Sequence, residues 1–101
     1  MNENQQFETL DPENWDEMRA LAHRIIDDAL DYIQTTGERP VWQAVPEEVT
    51  PRLRQPAPAA PSGPSEFYDV FLETIQTFSL HTAHPRFWAL YMGSGTVMGA
   101  L

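Results

Sequence analysis

The chain has 101 residues, 42% of them hydrophobic and 11% aromatic, and fifteen acidic side chains against six basic ones give a net charge of −9. That length fits one small domain at most. The acidic balance argues against nucleic-acid partners and anionic membrane surfaces, and the lack of Cys excludes disulfides and thiolate metal sites.

Residues 1–10 read as a mobile, polar lead-in. Their opening has neither a basic stretch nor an apolar stretch of the kind a secretory signal carries, so a cytoplasmic protein is expected. Asp11-Pro12-Glu13 predicts a helix start, with Asp as N-cap and Pro in the first turn. The helix is expected over 11–37, ending at Gly37 in a left-handed cap. Its apolar residues are Trp15, Met18, Leu21, Ala22, Ile25, Ile26, Ala29, Leu30, Tyr32 and Ile33. At about 100° per residue they cover roughly half the cylinder, which is wider than the stripe of a helix resting on one core. Such a helix calls for neighbours on two sides. Asp16, Glu17, Arg24, Asp27, Asp28 and Asp31 form the other half, read as a solvated face.

An extended, Pro-rich arm is expected over 38–64. Arg39 precedes Pro40 and is biased away from helical dihedrals. Pro46 to Val49 suits a single helical turn limited by Pro51, and residues 55–64 suit a stiff polyproline-like connector. A second helix region is expected over 65–82, capped by Ser65. Phe67, Val70, Phe71, Thr74, Ile75 and Phe78 fall at helical spacing on one face, read as core or interface. A loop from Leu80 to Pro85 leads into 83–101. There Phe87 to Met92 is an uncharged apolar run that suits a buried extended segment, and Ser94 or Thr96 can cap a further helix start. The fold class expected is therefore mainly α. Two helices joined by a long stiff arm make a clasp around another body, and a second copy of the chain is the simplest such body.

Little local chemistry is encoded. His81-x-x-His84 has metal-ligand spacing but no third ligand, so backbone bonding or an interface role is the better reading of both residues. Gly93-x-Gly95-x-x-x-Gly99 misses the dinucleotide fingerprint by one residue and follows no βαβ pattern. Ser79 and His81 with an acid would make a hydrolytic triad only by arbitrary selection.

The run His84-Pro85-Arg86-Phe87-Trp88-Ala89-Leu90-Tyr91-Met92-Gly93-Ser94-Gly95-Thr96 resembles the N-terminal region of the group II pyridoxal-phosphate-dependent amino acid decarboxylases. This is the family of aromatic-L-amino-acid, histidine and glutamate decarboxylases. The upstream order resembles it too: a long amphipathic helix, Gly37-Glu38-Arg39-Pro40-Val41-Trp42, a Pro-rich arm, then a second helix. The likeness covers about residues 11–101, which would be the first fifth of a family member. It implies a fold type I enzyme, a homodimer whose N-terminal helices pack across the twofold. Trp15, Met18, Ala22, Ile25, Ala29, Ile33, Phe71 and Ile75 are the interface residues expected on that basis. It also implies that Leu90, Tyr91, Met92 and Gly93 line the substrate entrance of the parent enzyme. Leu90, Met92 and Gly93 depart from the aromatic, Pro and Thr side chains that relatives often carry there.

The chemistry implied is amino acid decarboxylation with pyridoxal phosphate as electron sink, the aromatic amino acids favoured. It requires a Lys to hold the cofactor. All six basic residues are Arg (Arg19, Arg24, Arg39, Arg52, Arg54, Arg86) and the chain has no Lys. The chain alone is therefore expected to be inactive, with no catalytic, cofactor-binding or metal residue of its own: a dimer-clasp segment whose large domain lies elsewhere. The alternative is a free-standing, non-catalytic helical protein that binds a partner through its first helix.

Overall fold

The structure is a computed structural model, which describes residues 9–88 and 95–100. The described residues are mainly helical, with no strand among them. α1 spans Trp15–Gln34, α2 Thr50–Leu53, α3 Pro64–Phe71 and α4 Val97–Ala100; a 3-10 turn covers Thr36–Glu38 and a π-helical turn continues α3 over Leu72–Gln76.

The caps differ from the sequence expectation, and each difference has a local cause. α1 begins at Trp15, not at Asp11, because Asn14 Oδ1 accepts from the backbone N–H groups of Asp16 (3.0 Å) and Glu17 (3.3 Å). Its other end needs no left-handed glycine. The Thr35 and Thr36 hydroxyls donate to the carbonyls of Asp31 and Tyr32, both at 2.8 Å, and the Arg39 guanidinium returns to the Tyr32 carbonyl at 2.5 Å. A cation at a helix carboxyl end complements the exposed carbonyl dipoles, and α1 has no basic residue in its last turn to do this. No glycine among the described residues has a positive φ. Pro51 lies inside the first turn of α2 and opens that helix instead of limiting it. α3 starts one residue before Ser65, with Gly63 as its cap and Pro64 at its first position, where the missing N–H costs nothing.

Three cross-links fix the direction of the pair. Arg24 reaches Asp69, Asp28 accepts from Tyr68, and Tyr32 donates to the Gln76 carbonyl. Met18 and Leu21 lie beside Pro61 to Ser65, Arg24 and Asp28 meet Asp69 and Tyr68, and Tyr32 meets Gln76, so α1 and the α3–π segment run parallel. Parallel neighbours require a connection that travels back the length of the helix, and the arm supplies it. Arg52 bonds Glu73 at 3.1 Å and the Gln43 amide donates to the Thr77 carbonyl at 2.9 Å, which places the arm antiparallel to α3.

Little is buried by this arrangement. Among the described residues only Leu21, Val49 and Tyr68 are buried hydrophobic side chains, and Thr36, Thr74 and His84 are buried polar ones. The Cα radius of gyration is 18.3 Å, against about 13 Å for a compact chain of this length. The accessible surface is 9244 Å² for 11.5 kDa, where a compact monomer of that mass exposes roughly 5,800 Å².

Candidate functional site

The polar half of α1 is not simply solvated. Arg24 donates to Asp69 Oδ1 at 2.8 Å and its Nε lies 3.7 Å from Asp28 Oδ2, and the Tyr68 hydroxyl donates to the same Asp28 oxygen at 2.7 Å. The Arg24 guanidinium sits 5.0 Å from the Tyr68 ring centre. This network is the seam between α1 and α3. Leu21 of α1 and Tyr68 of α3 are buried, and the Tyr68 side chain itself takes part in the network through Asp28 and Arg24. Burial and the bond to Asp28 push the Tyr68 phenol up to about 12, and the hydrogen bond to Asp69 raises Arg24.

The seam sorts the pair into two faces. On α1, Arg24 lies to one side of Leu21, while Met18, Ala22, Ile25 and Ala29 lie to the other. On α3, Asp69 is about 100° from Tyr68 in one direction and Phe67 about 100° in the other. Since Arg24 and Asp69 are bonded, they share a face. The apolar residues of both helices therefore share the opposite face, and it is continuous across the pair.

That face is uncovered. Trp15 is 62% exposed, Ile25 38%, Ile33 44% and Ile75 47%; Ala22 and Ala29 are exposed, and Met18 and Phe71 are half-buried. The eight interface residues expected from sequence thus lie on the surface of this pair, none of them fully sheltered by the chain itself. Ile26, Phe67 and Val70 belong with them, at 45%, 69% and 41% exposure. Periodicity had already set these three on the apolar stripes, so the signal was present and only the selection missed them.

The two segments that carry the family resemblance meet at the far end. His84 Nδ1 accepts from the Arg86 N–H at 3.0 Å, so its ring proton is on Nε2, which donates to the Arg39 carbonyl at 2.7 Å. Pro85 lies against Gly37, where an added Cβ would stand 3.5 Å from Pro85 Cγ. His84 is therefore a backbone-bonding histidine, and no group of three metal-ligating side chains is found among the described residues.

The expected entrance residues Leu90, Tyr91, Met92 and Gly93 lie outside the described residues. Phe87 and Trp88 precede them, and Trp88 is 87% exposed, so the start of the apolar run is not a buried segment of this chain alone. Thr96 accepts from the Gly99 N–H at 3.3 Å and so caps α4, as its position before the helix suggested. No described helix is long and apolar enough to cross a membrane. No family model, curated protein or solved structure matches the chain.

Proposed function

We propose that this chain is the N-terminal dimer clasp of a cytoplasmic, pyridoxal-phosphate-dependent amino acid decarboxylase, with aromatic amino acids favoured as substrate. One observation carries the clasp: the continuous apolar face of α1 and α3, which the chain leaves in water. About 25 cal/mol is recovered per Å² of apolar surface removed from water. Packing this face against a second copy would bury it, and closed twofold pairs are the commonest arrangement of identical chains. The enzyme reading rests on the motif resemblance. The bond from His84 to Arg39 is consistent with it, since it joins two of the segments on which that resemblance rests, Gly37 to Trp42 and the run from His84.

The residues of this chain do not fit the cofactor itself. Pyridoxal phosphate is held as a Schiff base on Lys, and no Lys is present. No catalytic step is therefore assigned to these residues; the cofactor, its Lys and the reacting centre belong to the large domain of the parent enzyme.

Sedimentation equilibrium tests the clasp. The chain should associate as a dimer and Ile25→Glu should abolish association. A wild-type monomer at high micromolar concentration refutes it. The coding sequence tests the enzyme: continuation into a large domain with a cofactor Lys supports it. A dimeric product whose gene encodes no such domain leaves the free-standing interaction protein as the correct reading.

A further inference from the structure

A groove opens where the first turns of α1 meet the end of the arm, with a volume of about 700 Å³. That lies within the roughly 300–1,000 Å³ range of small-molecule sites. Met18, which is half-buried, and Leu21, which is buried, line it from α1. Pro12 lines it from the segment before that helix, Pro61 from the arm and Pro64 from the first position of α3. A polyproline helix has three residues per turn, so Pro61 and Pro64 fall on one edge of it. Gly63 between them has φ −65° and ψ 142°, in the polyproline range.

The charge of the groove has one sign. Glu13 and Glu17 line it, and no basic or aromatic side chain does. Among the described residues neither glutamate forms an ion pair. Neither is spent on capping α1, because Asn14 Oδ1 already accepts from the Asp16 and Glu17 N–H groups. We propose that this groove binds a small aromatic amine, with its ring between the prolines and Met18 and its ammonium at Glu13 and Glu17.

The two halves of the groove select the two halves of the ligand. Proline edges in extended segments are surfaces that aromatic rings pack against, and a methionine sulfur favours the edge of such a ring. The prolines hold their backbone stiffly, so little ordering is lost on binding. The carboxylates select a cation, and a chain of net charge −9 gathers cations and repels carboxylates and phosphates. Met18 is shared with the apolar face of the helix pair, whereas Leu21, the prolines and both glutamates are not. The site stands on the groove itself and not on the clasp or enzyme reading.

Titration of the full chain with 2-phenylethylamine at neutral pH, followed by NMR, tests this. The Met18 and Leu21 methyl resonances should shift and saturate, while the Ile26 methyls hold. 2-Phenylethanol keeps the ring without the charge and should bind more weakly; 3-phenylpropionate reverses the charge and should bind least. Glu13→Gln and Glu17→Gln should each weaken the amine by at most about fivefold, as expected of an exposed ion pair, and leave the alcohol unchanged. Both side chains are exposed, so the fold should survive. If a substituted chain does not fold, the order of the three ligands on the wild-type chain decides. No saturable shift, equal binding of amine and alcohol, or shifts centred on Ile26 would each overturn the site.

Discussion

His84 and Arg39, forty-five positions apart, are joined by a 2.7 Å bond from the imidazole Nε2–H to the backbone carbonyl. The His84 ring is buried, and its other nitrogen is occupied by the Arg86 N–H. The same Arg39 whose carbonyl is held this way uses its guanidinium to close the end of α1. One histidine thus fixes the turn that finishes the first helix to the loop that leaves the second.

His84→Ala leaves the Arg39 carbonyl and the Arg86 N–H without their partner and opens space in a buried site. The expected loss is about 2–3 kcal/mol of unfolding free energy, read from urea denaturation. A loss no larger than that of an exposed control such as His23→Ala would show that this bond does not hold the junction.

Gly37→Ala separates the expected cap from the observed one. A left-handed glycine cap would make Ala costly at this position. Gly37 has no positive φ, and an added methyl would rest in ordinary contact with Pro85. The substitution should therefore stabilise the chain by about 0.4–1 kcal/mol through the unfolded state, seen as a higher thermal midpoint.

Tyr68 makes the α1–α3 seam sensitive to alkali. Its phenol is raised to about 12 in the folded chain, against about 10 unfolded. The folded state keeps the proton longer, so this contribution is fully present below pH 10 and is lost as pH rises toward 12. Tyr68→Phe should lower stability at neutral pH and flatten the fall in this alkaline window, both measurable by denaturant titration at stepped pH.

Ile26→Asp tests whether the apolar face serves the chain or its partner. Ile26 is 45% exposed and lies on the uncovered side. The monomer's unfolding free energy should change by no more than about 0.5 kcal/mol, while dimer formation in the ultracentrifuge is lost. A large fall in monomer stability would mean that the side chain is packed within its own chain.

Periodicity alone set the helices, their apolar stripes and the need of α1 for neighbours on two sides, because the 3.6-residue repeat is local and burial leaves its mark on every turn. The order of helix, arm and helix was legible for the same reason. The cap positions were not. Asp11 and Asn14 are both good N-caps, and choosing between them depends on which backbone N–H groups each can reach. Gly37 looked like a terminator because the sequence does not show Arg39 folding back to do that work.

What the sequence determined by itself was helical content, charge, and a surplus of apolar surface. Only the tertiary structure decided that α1 and α3 run parallel, that Arg24, Asp28, Tyr68 and Asp69 form their seam, and that His84 joins Arg39. The bonds of Arg24 to Asp69, Tyr68 to Asp28 and His84 to Arg39 join residues forty or more positions apart. No local repeat encodes them; they follow from the path of an arm whose own residues carry no periodic signal.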